Sequence, residues 1–322
     1  MKKIVITKND SNQRLDKFIS KSFDNMPKSL MYKYIRKKRI KLNDKKADIS
    51  TILNEGDVLT LYINDELLEP SKPKYDFLSA PIRLDIVYED DNIMLINKPE
   101  GLIVHPDDSE YRDTLIMRIQ HYLYDKGEYN PDNEQSFKPS LVNRIDRNTS
   151  SIVIAAKNAT ALRILNKKLK DREIDKYYLC IVHNKPKKQS GTLTGYLSKN
   201  EDKNIVKVSN KQDDDAKTIK TYYETLATKN NLSLVKIKLL TGRTHQIRAH
   251  MASIGCPLLG DGKYGINKND RKKGFTHQAL CSYKLKFAFT TDGGELDYLN
   301  SQEFTVKRIW FVEELFGDFI ID

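Results

Sequence analysis

Paired cysteines are missing from this 322-residue chain: Cys180, Cys256 and Cys281 lie far apart in apolar surroundings, with no CxxC among them. A disulfide framework and a thiolate zinc site are thereby excluded, and buried free thiols in a reducing compartment are expected. There is no run of 18 or more apolar residues, and the start "MKKIVITKNDSNQRLDKF" lacks the apolar core of a signal peptide. No membrane span is expected, and the place of action is expected to be the cytoplasm. The glycine patterns GxGxxG and GxxxxGK[ST] do not occur, since "LGDGKYG" lacks both the upstream spacing and a following Ser or Thr. A nucleotide-hydrolysing engine is disfavoured. GxSxG is absent too, which argues against a serine hydrolase. His245 and His250 are five apart with no Glu between them, so no zinc-binding helix is read there.

What the chain has in excess is positive charge. Lysine and arginine number 55 against 44 acidic residues, a net charge of +11. A polyanion is the natural partner, with nucleic acid ahead of a membrane surface. The charge is concentrated, because residues 1–65 hold 15 basic and 8 acidic side chains. Within them "QRLDKFISKSF" sets Leu15, Phe18 and Ile19 on one helical face, and "KSLMYKYIRKKRI" sets Leu30, Met31, Tyr34 and Ile35 on another. Short strands follow, joined by Asn-Asp and Glu-Gly-Asp turns. Residues 66–82 carry three prolines and no periodicity, as a linker would. Beyond them strand-like runs follow one another without a helix between each pair, among them "IMLINKP", "SIVIAAK", "YYLCIVHN" and "CSYKLKFAF". An α+β domain on a mixed, mostly antiparallel sheet flanked by helices and loops is expected over 83–322, preceded by a small α/β module over 1–65. Residues 106–140, with a short helical core between turn-rich ends, read as an insertion beside the next motif.

Three stretches are too particular for plain scaffold. In "SLVNRIDRNTSSIVIAAKN" Asp146 sits between Arg144 and Arg147, on a loop entering a β-branched strand that must be buried. An aspartate in a turn is ordinarily a surface residue; flanking arginines make this one worth following. In "LLTGRTHQIRAHMASIGCPLLGDGKYG" the chain turns at Thr241-Gly242, and Ile247, Met251 and Ile254 then recur at helical spacing up to Gly255. Thr244 is the expected N-cap, which would put Arg243 and His245 at the positive end of the helix and Arg248 one turn in. In "DKYYLCIV" strand alternation sends Tyr177 and Tyr178 to opposite faces.

Taken together these stretches resemble the RluA-type pseudouridine synthases, which isomerise uridine within RNA. The family pattern HRLDRxTSG is matched by "NRIDRNTSS", and GRTHQIRxHxxxxGxPxxGDxxYG by "GRTHQIRAHMASIGCPLLGDGKYG". "INKPEGLIVHP", "DKYYLCIV" and "HQALCSYKLKF" add to the likeness, which runs from about residue 80 to 290. Residues 13–63 separately look like the S-four-type (alpha-L) RNA-binding module. Asn143 stands where the family has histidine, and Ser151 where it has glycine. The resemblance implies that Asp146 is the catalytic aspartate, Tyr178 the active-site tyrosine and Arg248 the cation that pairs with the aspartate. It also implies that no cofactor or metal is needed, because the isomerisation involves no redox change and no outside group. Arg144, Arg147, Arg243 and His245, with Arg36, Lys37, Lys38 and Arg39 of the basic stretch, are the candidate RNA contacts. Large-subunit (23S) ribosomal RNA is the expected substrate and a monomer the expected state. A transfer RNA substrate, or an RNA-binding protein without activity, are the alternatives, and the presence of Asp146, Tyr178 and Arg248 argues against the second.

Overall fold

The computed structural model describes residues 1–69, 75–200, 205–212, 215–317 and 319–321. Near the N-terminus, strands β1 (Lys2–Val5), β2 (Ile40–Leu42), β3 (Lys45–Lys46) and β4 (Val58–Leu61) form an antiparallel sheet in the order β1-β4-β2-β3. Helices α1 (Leu15–Ser22) and α2 (Lys28–Arg36) cover it. The i, i+3, i+4 pattern explains the packing: Leu15, Phe18 and Ile19, with Met31 and Ile35, bury against Ile40, Leu59 and Leu61. Asn43 and Asp44 both take positive φ, as the two-residue hairpin between β2 and β3 requires. Of the stretch 66–82 read as a linker, residues 70–74 lie outside the described residues. Leu68 packs into the N-terminal core, while Phe77 and Ala80 pack into the core of the larger unit.

The larger unit is built on strands β5 (Ile86–Glu89), β6 (Ile93–Lys98), β7 (Ser140–Leu141), β8 (Ser150–Ala156), β9 (Ile174–His183), β10 (Ser190–Asn200), β11 (Ile205–Ser209), β12 (Lys217–Lys229), β13 (Leu232–Leu239), β14 (Leu280–Phe287) and β15 (Glu303–Thr305). Their order is β11-β10-β12-β13-β9-β14-β8-β6-β5, with β15 on β14 and β7 on β8. Among the described residues β8 and β14 form the parallel pair of strands, and the other strand-to-strand pairings of this sheet are antiparallel. The expected mixed, mostly antiparallel sheet with flanking helices is therefore present.

Strand β8 is the axis of the core. Its alternate residues face two layers: Val153 and Ala155 join Leu115, Ile119 and Leu123 of α3 (Leu115–Asp125), and Ile152, Ile154 and Ala156 join Ala161 and Leu165 of α4 (Ala159–Lys170). Each large aliphatic side chain so buried stabilises the fold by about 1.5–3 kcal/mol. Side-chain caps start both helices: Asn158 Oδ1 accepts from the Ala161 amide at 2.8 Å, and Thr114 Oγ1 from the Met117 amide at 3.4 Å. The remaining helices are α5 (Gln246–Ser253), α6 (Lys268–Lys272) and α7 (Trp310–Leu315). Among the described residues no helix is long and apolar enough to cross a membrane.

Candidate active site

Asp146 lies on the loop that enters β8, and this loop is bolted down. The Thr149 amide donates to the Asp146 carbonyl at 3.1 Å, the Gly101 amide donates to the Arg147 carbonyl at 3.0 Å, and Arg147 Nε donates back to the Gly101 carbonyl at 3.0 Å. Beneath them Lys98 is fully buried, its Nζ donating to the carbonyls of Pro99, Leu102 and Arg147 at 2.8–2.9 Å. Burial pushes the Lys98 pKa down to about 8, against the pull of Asp146 and Glu100. The backbone around Asp146 is held on both sides, while its carboxylate is left 34% exposed.

Helix α5 brings the second group, though not as the sequence suggests. Thr244 is not the N-cap: that position falls to His245, whose backbone is left-handed at φ 52 and ψ 18. The reason is Gln246, whose Oε1 accepts from the Arg243 amide at 3.1 Å and whose Nε2 donates to Lys220 O and Thr221 Oγ1, tying the helix start to β12. A left-handed conformation costs a non-glycine residue on the order of 1 kcal/mol and is found where surrounding structure over-determines it. Its result is an imidazole aimed into the cleft, with Nδ1 3.0 Å from Tyr264 Oη and Nε2 3.9 Å from Asp146 Oδ2. Burial holds the His245 pKa below its ordinary value, opposed by Asp146.

Arg248 also faces Asp146, as the resemblance implies, but it has a second and tighter partner that the sequence reading did not name. Its bidentate partner is Asp261, with Nε and Nη2 each 2.7 Å from a carboxylate oxygen. Nη1 is left toward Asp146 Oδ2 at a looser 3.7 Å. The physical reason is burial: both Arg248 and Asp261 are buried, and charges out of water persist only when closely paired and fully hydrogen-bonded. Asp261 also accepts from the amides of Lys263 and Tyr264. Burial pulls the Arg248 pKa down, but Asp261 outweighs it and the net shift is upward; Asp261 is held below the usual carboxylate range although burial pushes it up. Tyr264 lies with its ring 5.3 Å from the guanidinium carbon, and its hydroxyl accepts from the Val206 amide at 2.9 Å.

Tyr178 of β9 forms part of the floor. It is buried between Ile237 of β13 and Ser282 of β14, and burial pushes its phenol up to about 12, so it is a neutral donor near neutrality. Tyr177 points to the other face and packs with a separate cluster. Asp146, Tyr178, His245 and Arg248 line one cleft of about 510 Å³, with Arg144, Arg243 and Lys176 around them. Among the described residues lining it, Asp146 is the one carboxylate. Arg147 is turned outward to Gly101 and Ser109, and Arg36, Lys37, Lys38 and Arg39 are exposed on the N-terminal unit, none of the five lining the cleft. Among the described residues no cluster of His, Cys, Asp or Glu could hold a metal ion.

Asn143 clamps β8, its Oδ1 accepting from the Ile154 amide at 2.8 Å and its Nδ2 donating to the Ile152 carbonyl at 3.4 Å. Ser151 is wholly buried on β8, so it shapes the strand and not the cleft rim. Sequence reasoning passed over Lys98, Lys176, Asp261 and Tyr264. The last two stand in the quoted "GDGKYG", whose acid after a glycine was the available signal.

A family model described as RNA pseudouridylate synthase matches residues 92–253. An uncharacterized RNA pseudouridine synthase of Mycoplasma capricolum is 34% identical over 96% of this chain and 99% of its own length. Ribosomal large subunit pseudouridine synthase C of Rickettsia bellii is 33% identical over 79% of this chain and 83% of its own. Among solved structures, human RNA pseudouridylate synthase domain containing 4 superposes with a TM-score of 0.57 at 19% identity, covering 72% of this chain and 91% of that one. That likeness is one of fold.

Proposed function

From the premise that the chain belongs to the RNA pseudouridylate synthase family and is an isomerase converting uridine to pseudouridine in RNA, we propose that Asp146 carries the reaction and that large-subunit ribosomal RNA is the substrate. The reaction breaks the bond from the ribose anomeric carbon to the base nitrogen and joins the same carbon to carbon 5 of the base. The hydrogen on carbon 5 is lost as a proton and the freed ring nitrogen gains one, so atoms and electrons balance without a redox partner.

The observation that carries the reading is the convergence of one partly exposed carboxylate with Arg248, His245 and Tyr178 in a single cleft. Whether the carboxylate bonds to substrate or assists cleavage, it must be ionised and aimed. Arg248, itself fixed by Asp261, offers Nη1 as a steady positive field without a tight pair that would blunt the carboxylate. Tyr178 gives the uracil an aromatic face and, as a neutral phenol, a proton donor. The target base must leave its stack to enter, a cost of a few kcal/mol that is smallest in loops and bulges. Arg144 and Arg243 at the cleft can offset it by pairing with phosphates. Arg147 and the run from Arg36 to Arg39 serve as outer contacts, with residues 1–65 acting as an S-four-type RNA-binding domain and 83–322 as the catalytic domain of a monomer.

The ribosomal assignment draws on the Rickettsia bellii relative and on ribosomal large subunit pseudouridine synthase D of Borreliella burgdorferi, 31% identical over 85% of this chain. Mapping of carbodiimide-reactive positions in RNA from a strain lacking this protein tests it. Loss of one or more positions from large-subunit ribosomal RNA is expected; loss confined to transfer RNA would contradict the assignment.

A further inference from the structure

The N-terminal unit is seated on the larger one by a polar seam. Asp10 Oδ1 accepts from the Ser136 amide and hydroxyl at 3.1 and 2.7 Å, and Gln13 Nε2 donates to Ser136 Oγ at 2.8 Å. Asn9 Nδ2 donates to Glu134 at 2.8 Å, and Arg163 Nη1 donates to the Ser11 carbonyl at 3.1 Å. Beside these hydrogen bonds, between α1 and the first turns of α4, is a groove of about 280 Å³.

Four cations line it: Arg14, Lys17, Lys21 and Arg163. Arg14 has a carboxylate of its own, Asp16, at 2.8 Å. The other three form no salt bridge among the described residues; Lys21 Nζ donates only to the neutral Gln13 Oε1 at 3.2 Å, and Asp10 and Glu295 act on Lys21 and Arg163 from beyond ion-pair distance. Burial, then repulsion from Lys17 and Arg163, pulls the Lys21 pKa down. Three like charges gathered in a partly enclosed groove, none of them closed into an ion pair, repel one another, an arrangement that a polyanion would relieve. The rest of the lining includes Asn9 and Asn12, whose amide nitrogens each keep a second hydrogen able to bond a phosphate oxygen.

Helix α4 joins this groove to the cleft. Leu162 lines the groove and Leu169 lines the cleft, seven residues apart and so about 10 Å along the helix axis. Asn166, Lys167 and Lys170 are exposed on the same helix.

We propose that the groove between α1 and α4 binds phosphates of the RNA strand flanking the target uridine, so that both units grip one substrate. The proposal rests on the reading of the Asp146 cleft as the place of chemistry.

The test uses the whole 322-residue chain and a tritium-labelled fragment of large-subunit ribosomal RNA that it binds, with binding measured across a salt series and single-turnover tritium release from carbon 5 measured at saturating enzyme. Lys17→Gln with Lys21→Gln, which leaves the seam hydrogen bonds of Asp10, Gln13 and Arg163 in place, should weaken binding about tenfold and flatten the slope of log K against log salt by about 1.4, at roughly 0.7 for each phosphate no longer neutralised. The saturated rate should stay within about twofold, since groups that hold phosphates position the RNA and do not react. Arg163→Gln should flatten the slope further, whereas Arg163→Lys, which keeps the charge but not the guanidinium bond to Ser11, should bind like the parent. An unchanged slope in the lysine pair overturns the proposal. So does equal weakening by Arg163→Lys and Arg163→Gln, which would make the seam's geometry and not its charge the cause. Parent protein that binds RNA yet releases no tritium would sink the reading of the cleft, while the slopes would still judge the groove.

Discussion

At the scale of single residues, the site is a chain of dependences ending at Asp146. Arg248 faces Asp146 only because Asp261 fixes its other edge, and Asp261 tolerates burial only because Arg248 and two amides satisfy it. Arg248→Met is therefore expected to act first on stability, by about 3–5 kcal/mol, because it strands a buried carboxylate. Adding Asp261→Asn should restore part of that stability but none of the activity. Urea unfolding and single-turnover rates of the two singles and the double check this; a single Arg248→Met as stable as the parent would mean that Asp261 is not held by it. His250 offers a pH test away from the cleft. It is buried beside Thr221, and burial pushes its pKa down to about 4. The unfolded chain thus takes up the proton first, so this residue's share of stability is complete above about pH 6.5 and is lost as pH falls toward 4. His250→Gln should shrink the drop in urea midpoint between pH 7.5 and pH 5; an unchanged drop would assign the acid sensitivity to other groups.

At the scale of elements, the motif between β13 and β14 shows what a linear reading can and cannot reach. Ile247, Met251 and Gly255 made the helix legible, because a 3.6-residue period and a terminal glycine are local signals. Its start was not, because Gln246 bonds to β12, twenty-five residues back in the chain, and displaces the simple Thr244 cap. The Arg248–Asp261 pair was hidden for the same reason: proximity to Asp146 was implied by resemblance, but which carboxylate lies closer is decided by the turn after α5. The buried strand around Val153 was legible as an unbroken β-branched apolar run, and the two tyrosine faces because strand alternation needs no partner to be read. That turn supplies an element-level prediction. Gly260 has φ +77, and a Cβ there would collide with the His277 carbonyl oxygen, beside the hydrogen bond from the Ala279 amide to the Leu259 carbonyl. Gly260→Ala should cost about 1–3 kcal/mol from backbone conformation alone, more with the collision, and should lower activity by shifting Asp261 beneath Arg248. Thermal unfolding with parallel activity at a temperature where the variant is fully folded checks it; full activity in the folded variant would show that Asp261's placement is not critical.

At the scale of the whole molecule, the concentrated charge and the proposed place of chemistry are apart. Residues 1–65 carry a large part of the excess positive charge, and Arg36, Lys37, Lys38 and Arg39 are exposed at the end of α2, while the cleft with Asp146 is in the larger unit. Replacing those four by Gln should weaken RNA binding and flatten its salt dependence by about 0.7 for each phosphate no longer neutralised, with the saturated single-turnover rate unchanged. A fall in that rate at full occupancy would mean that the N-terminal unit shapes the reaction itself. On the proposed reading, catalysis depends on one carboxylate, Asp146, held by a clamped loop and faced by a fixed cation. Its most direct test is single-turnover release of tritium from carbon 5 of labelled uridine in RNA by the parent and by Asp146→Asn, which keeps the side chain's size but removes its negative charge. The parent is expected to release tritium to completion, and the variant to bind the same RNA, unfold at the same urea concentration and release none above background. Release by Asp146→Asn within tenfold of the parent would contradict the central role of Asp146.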